Sequence, residues 1–243
     1  MEKNKEEQFT LKNRAIEILK GFGLILMMAL IPALIVGVIS SLLPKNASDN
    51  LIALVNFIAQ VIYTGIFVAM YFKLFKNDFK KLKENGKQDL KSATRIWFIC
   101  FVGMFISLYI INTYINPSGI SANEQTNRNY LMKYPIYGIL SMVILGPIVE
   151  EIVFRAGFKK AFKKAFSFAI FGAILFGSMH LLAAFETFTL SEIAKNWKEL
   201  LYIIPYGFLG FGFNYIYHKT DNIHASIIAH ILHNAITVLI IFI

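Results

Sequence analysis

The chain of 243 residues is 56% hydrophobic but only 16% charged, whereas roughly a quarter of the residues in a soluble globular protein are charged. This composition excludes a soluble enzyme and a disordered chain, and the lone Cys100 excludes a scaffold built on internal disulfides. The net charge of +9 would suggest nucleic acid in a soluble protein. In a membrane protein it fits an excess of Lys and Arg in cytoplasmic loops, so we expect no nucleic-acid partner.

Seven apolar stretches are long enough to cross a bilayer, which takes about 17 residues or more in a helix. They cover residues 21–43, 51–72, 96–115, 135–154, 167–185, 201–217 and 223–243. Each is predicted to be helical, because lipid leaves the backbone groups of an isolated strand unpaired. The sequence therefore predicts an all-α, polytopic transmembrane helix bundle with seven spans, and an eighth, hairpin-like span could lie in 186–200.

Lys and Arg residues outside the spans alternate between rich and poor segments. Nineteen lie in the N-terminal arm 1–20, in 73–95, in 155–166 and before the last span, and five lie in the segments between. The positive-inside rule therefore predicts an integral protein of the cell membrane with a cytoplasmic N-terminus and an external C-terminus. The favoured interpretation of 73–95 is a solvated cytoplasmic loop, and the alternative is a short basic helix on anionic lipid.

Ionisable side chains at bilayer depth are confined to three of the seven spans. They are Glu150 and Glu151 in the fourth span, His180 in the fifth, and His230 and His233 in the seventh. Each such group costs on the order of 2.5–3.5 kcal/mol on membrane-insertion scales. Because the other four spans contain none in their interiors, we interpret this set as functional.

The spacing of these residues places some of them on common helix faces. Glu151 and Arg155 are four residues apart, one helical turn, so they can form an ion pair. The neighbouring Glu150 points about 100° away from Glu151 and is therefore the predicted chemical carboxylate. His230 and Asn234 are also four residues apart and present one face.

Each of these residues also has a structural interpretation. A single transmembrane histidine such as His180 more often bonds a neighbouring helix than a ligand. His230 with Asn234 could be a polar contact between helices, and the glutamate pair could lie at the water interface. Structural roles alone are assigned to His224 and His233.

Two kinds of hydrolytic chemistry fit these residue types. A carboxylate and a histidine that share a water can deprotonate it for attack on a carbonyl, and a histidine with an Asn amide can donate N–H groups to an oxyanion. One Glu with two His could instead bind Zn²⁺ and leave a position for water. The metal is therefore left open, with zinc as the candidate. The metal-free scheme is favoured, because Asn is a poor zinc ligand.

Three motifs resemble those of a known family. They are EEIVFR at 150–155, FGSMH at 176–180 and HILHN at 230–234. They match the Glu-Glu-x-x-x-Arg, Phe-x-x-x-His and His-x-x-x-Asn motifs of the CPBP family of intramembrane proteases. These proteins are also called Abi or CAAX-protease-like, and they resemble the CAAX prenyl endopeptidase. The motifs occur in the family's order, and the matching region runs from about 135 to 240.

The resemblance implies a membrane-embedded endopeptidase that acts on a membrane-associated protein or peptide. It implies these roles: Glu150 and His180 activate the water, His230 and Asn234 stabilise the oxyanion, and Glu151 and Arg155 support them. We expect the site to open toward the cytoplasmic side of the membrane.

On this basis the chain divides into three parts. They are a cytoplasmic arm (1–20), N-terminal spans with the basic loop (21–134), and a catalytic transmembrane core (135–243). Two other functions compete with the protease. One is a non-catalytic membrane immunity or peptide-binding protein that uses the same polar residues structurally. The other is a proton-coupled transporter, which would be expected to contain inverted repeats.

Overall fold

The computed structural model describes residues 11–117, 119–185, 187 and 189–242, and within them it contains helices and no strand. The helices are α1 (Leu11–Ser41), α2 (Asp49–Met70), α3 (Phe72–Ile110), α4 (Ala122–Lys133), α5 (Pro135–Ala161), α6 (Ala165–Met179), α7 (Leu190–Lys195), α8 (Ile203–Thr220) and α9 (Ile223–Phe242). All except the short α4 and α7 belong to stretches long and apolar enough to cross a membrane, and α6 reaches that length with the turn and 3₁₀ segment that extend it to Ala184. The predicted all-α bundle with seven spans is confirmed, and the chain is an integral membrane protein.

No eighth span is present in the described part of 186–200. The six residues of α7 are followed by a short 3₁₀ segment, Trp197–Tyr202, which leads directly into α8. Neither piece approaches the length of about 20 residues that a transmembrane helix needs. At the other end of the chain, the first ten residues of the predicted arm 1–20 lie outside the described residues, and the remainder already belongs to α1.

The basic segment 73–95 is helical, so its interpretation as a solvated loop is wrong. It forms the first part of α3, which continues without a break into the third span. The segment contains no proline, only Gly86 as a weak helix former, and many Lys and Leu residues, which favour a helix. Its polar side chains bind the turn between α8 and α9: the backbone N–H of Ile223 donates to Asp78 (2.9 Å), and Lys81 donates to Asp221 (2.8 Å).

The centre of the bundle is α8, which packs against α6 and α3. Glycines allow α6 and α8 to approach closely. A Cβ atom added to Gly177 would lie 2.7 Å from the carbonyl oxygen of Ile203, too close for any other residue without movement of the backbone. This contact places His180, which caps the end of α6, beside the first turns of α8.

The helix α5 is not a regular α-helix. Two π-helical segments, Leu140–Leu145 and Ile152–Ala156, flank the α-helical Gly146–Glu151. Pro147 lacks a backbone N–H and cannot continue the regular hydrogen-bond pattern, and wide turns of this kind often occur at functional sites. They change the direction in which the following side chains project, including the two glutamates.

Candidate active site

A polar pocket of about 500 Å³ contains all four residues predicted to be catalytic. Glu150 reaches it from α5, His180 from the end of α6, and His230 and Asn234 from α9. The three helices that carry these residues are far apart in the chain, so only their packing brings the residues together.

Behind the pocket, Glu151 and Arg155 form the predicted ion pair, with Nε of the guanidinium 3.2 Å from Oε2 of the carboxylate. Both side chains are fully buried. The guanidinium also lies 4.6 Å from the ring centre of Phe176 and 5.1 Å from that of Phe213, where the negative ring faces attract it. None of its nitrogens makes a hydrogen bond within the described residues, so the ion pair with Glu151 is the main interaction that balances its charge.

The same carboxylate orients His230. Nδ1 of His230 lies 2.7 Å from Oε1 of Glu151, and the hydroxyl of Ser226 donates to Oε2 at 2.5 Å. A carboxylate in an ion pair accepts hydrogen bonds, so Nδ1 of His230 carries a proton. Its other nitrogen, Nε2, faces the pocket and lies 3.7 Å from Oε2 of Glu150. The imidazole is therefore positioned between the two glutamates.

His180 is also oriented by a hydrogen bond at Nδ1. Its Nδ1 lies 2.8 Å from the carbonyl oxygen of Phe176, and because a carbonyl can only accept, Nδ1 is the donor. In the neutral ring, Nε2 then carries a free lone pair. The ring of Tyr206 stacks on the imidazole at 4.4 Å between centres and limits its rotation. The hydrogen bond at Nδ1 thus leaves Nε2 of His180 as an acceptor for a group in the pocket.

Asn234 is also anchored. Its amide group donates one hydrogen bond, of 2.7 Å, to the carbonyl oxygen of Met142 in the first π-helical segment of α5. An amide nitrogen has two hydrogens, so one remains for another acceptor. The wide turn in α5 is what supplies the carbonyl that fixes this side chain.

Three further residues contribute that the sequence interpretation missed or assigned to structure alone. Ser226 lies one turn before His230 on α9, a spacing that could have revealed it. Tyr206 binds Ser121, next to α4, through its hydroxyl at 2.8 Å, and nothing in the sequence indicates that contact. His233 lines the pocket, and its Nδ1 has no hydrogen-bond partner within the described residues.

The donor set does not fit zinc. Among the residues that the structure describes, no three His, Cys, Asp or Glu side chains are grouped so that they could hold a metal ion. We therefore derive no chemical step through a metal.

The pocket extends from these residues toward α4, at the end of the bundle opposite the basic segments. Its wall there includes Asn123 and Asn127 of α4, and no residue of 73–95 or 155–166 lines it.

Comparison with known proteins agrees with the motifs. Residues 132–236 match the family described as type II CAAX prenyl endopeptidase Rce1-like. The chain is 28% identical over 167 residues to the protein named "Putative membrane peptidase YdiL" of Bacillus subtilis (strain 168). That match covers 66% of this chain and 62% of the relative, so it spans less than two thirds of the relative's length. No solved structure matches. The predicted resemblance to CAAX-protease-like proteins is confirmed.

Proposed function

We propose that this chain is a membrane-embedded endopeptidase that hydrolyses a peptide bond with a water activated by Glu150 and His180. The observation that carries the proposal is their convergence, with His230, on one polar pocket inside a bundle of apolar helices. Ionisable groups inside a membrane are costly and usually functional. The similarity to prenyl endopeptidases and to a named membrane peptidase supports the same reaction class.

In the proposed reaction, a water in the pocket gives a proton to Glu150 as its oxygen attacks the substrate carbonyl. The carboxylate is 27% exposed, so it is within the pocket rather than engaged in the buried ion pair. His180 holds the same water through the lone pair of Nε2. The transferred proton then passes to the nitrogen of the scissile bond, the C–N bond breaks, and a carboxylic acid and an amine leave.

The negative oxygen that forms on the substrate needs hydrogen-bond donors. Nδ1 of His230 donates its hydrogen to Glu151, so Nε2 can donate to the substrate oxygen only when the imidazole carries a second proton. The free amide hydrogen of Asn234 supplies a second donor. Glu151 and Arg155 act through His230 and are positioning residues.

The direct test is hydrolysis by the purified full-length protein in detergent. We would use a library of internally quenched peptides, with and without a farnesylated C-terminal cysteine, and locate each cut by mass spectrometry. We expect cleavage of an internal peptide bond. Binding of library peptides without any cleavage would instead favour the non-catalytic, peptide-binding alternative.

Replacing Asn234 by Ala should leave a small residual activity. An oxyanion donor typically contributes on the order of 10²–10³ in rate, so we expect a loss of that size in kcat. Asn234→Asp should lose more, because a carboxylate repels the developing negative charge. The lost bond to Met142 could also affect folding, so thermal unfolding is measured in parallel. Asn129→Ala, on the exposed outer face of α4, is the control, and equal activity in all three proteins would contradict the assignment.

Chelation should not affect hydrolysis. The grouping of side chains described above does not fit zinc, so we expect the wild type to stay active after dialysis against a strong chelator. His180→Ala should lose activity without any change in bound metal, as measured by atomic emission. Stoichiometric zinc that disappears in His180→Ala would overturn the metal-free scheme.

A further inference from the structure

We infer that the substrate is an extended polypeptide segment that enters the pocket from the α4 end of the bundle, outside the cytoplasm. The inference rests on the proposed function, and it names the side of the membrane and the kind of substrate that the site accepts. It replaces the expectation of a cytoplasmic opening.

The first observation is the direction in which the pocket extends through the bundle. Its wall includes Asn56 and Gln60 from the first half of α2, Met142 from the first half of α5, and Thr237 and Ile241 from the last half of α9. The helices α2 and α5 begin, and α9 ends, where α4 lies. An ion pair of 2.7 Å between Lys133 at the end of α4 and Asp49 at the start of α2 marks this end. The pocket therefore runs from Glu150 toward α4.

The opposite end of the bundle is closed. There Asp221, in the turn between α8 and α9, pairs with Lys81 of α3 and Lys159 at the end of α5. Beneath these ion pairs lies a cluster of buried apolar side chains that includes Phe158 and Ile223. A substrate that approached from the basic segments would have to break these contacts, whereas the α4 end already borders the pocket.

The wall near α4 indicates what the pocket binds. Polar side chains of α4 and α2 line it, namely Asn123, Thr126, Asn127, Asn56 and Gln60. Amide side chains both donate and accept hydrogen bonds. In an extended peptide the backbone N–H and C=O groups do not bond to one another, so they need such partners. A hydrocarbon chain would instead be disfavoured beside so many polar groups, because their remaining donors and acceptors would lose hydrogen bonds to water.

Deeper in the pocket, the polar lining continues. His233 lines the pocket and is 6% exposed, and its buried Nδ1 has no hydrogen-bond partner among the described residues. Val238 and Leu209 line the same region and can contact an apolar substrate side chain. A main chain bound by polar groups, with side chains in apolar contacts, is the usual arrangement for an extended peptide.

The side of the membrane follows from charge. Segment 116–134, which contains α4, carries two Lys and Arg residues, whereas 73–95 carries eight and 155–166 carries five. The positive-inside rule therefore places α4 outside the cytoplasm. The matching substrate is an exported peptide or the external juxtamembrane segment of a membrane protein.

The first arm of the test measures accessibility and needs no substrate. Single cysteines are introduced at Asn127, which lines the pocket, at Gln125 on the outer face of α4, and at Lys83, all in a Cys100→Ser background. Intact cells are treated with a membrane-impermeant maleimide. We expect labelling of Asn127→Cys and Gln125→Cys without permeabilisation, and labelling of Lys83→Cys only after it. The reverse pattern would overturn the inference even if the protein proves to be a protease.

The second arm measures cleavage of the peptide library by the same purified variants after treatment with a bulky maleimide. Modification of Asn127→Cys should abolish cleavage by filling the pocket, whereas modification of Gln125→Cys should not. Equal cleavage in both modified proteins would show that the α4 end is not the entrance. If no variant and no wild-type protein cleaves, the proposed function fails, while the labelling arm still decides where the pocket opens.

Discussion

Replacing Glu150 by Gln should abolish hydrolysis and leave the fold intact. Glutamine has nearly the same shape but cannot take a proton from water, and a positioned general base contributes on the order of 10²–10⁴ in rate. The side chain is partly exposed in the pocket and lies 3.7 Å from Nε2 of His230, so the substitution leaves no buried charge unpaired. The measurement is the initial rate of cleavage of the quenched peptide library by the purified variant.

The matched control is Glu84→Gln, which changes a glutamate on the exposed surface of α3. It should retain the wild-type rate, and thermal unfolding of both variants should resemble that of the wild type. The Glu150→Gln protein should still bind peptide, because the polar wall near α4 is unchanged, and photo-crosslinking of a library peptide would detect this. Full activity of Glu150→Gln would remove the protease proposal altogether.

Replacing Arg155 by Ala should destabilise the protein strongly. The substitution removes the counter-charge of Glu151, which is 0% exposed, and breaking a buried ion pair typically costs about 3–5 kcal/mol. It also removes the contacts of the guanidinium with Phe176 and Phe213. Because Glu151 orients His230, activity should fall as well. The measurement is the free energy of unfolding in detergent micelles.

A second arginine of the chain provides a close control. Arg128 pairs with Glu124 at the same spacing of four residues, but its side chain is 39% exposed. Exposed pairs contribute about 0–1 kcal/mol, so Arg128→Ala should change the free energy of unfolding only slightly. Adding Glu151→Gln to Arg155→Ala should recover part of the lost stability, since no unpaired charge then remains. Equal destabilisation by Arg155→Ala and Arg128→Ala would show that the buried pair has no special role.

Much of the fold could be predicted because lipid imposes one strong constraint. A backbone inside a bilayer must satisfy its own hydrogen bonds, so long apolar stretches can only be helices. All seven predicted stretches correspond to helices of the structure. The same reasoning does not apply to a polar segment, and this is why 73–95 was interpreted as a loop. Its helix is stabilised by residue propensity and by bonds to the turn around Asp221.

The residues of the candidate site could be predicted for the same reason, since ionisable groups inside apolar helices are conspicuous. Contacts within one helix follow from spacing alone, and the pair formed by Glu151 and Arg155 is an example. The same spacing argument could have identified Ser226, because it is one turn from His230. It could not have identified Tyr206, because the contact of Tyr206 with His180 depends on how α6 and α8 pack.

Hydropathy, helical spacing and the positions of Lys and Arg thus predict the seven helices, the polar residues inside them and the distribution of charge between the two ends of the bundle. The packing of the helices, in contrast, sets which nitrogen of each histidine faces the pocket, the bond from Asn234 to Met142, and the extension of the pocket toward α4. The physical reason is that hydropathy and helical spacing act along one segment. Hydrogen bonds between helices and the shape of a cavity depend on the faces that different segments turn toward each other.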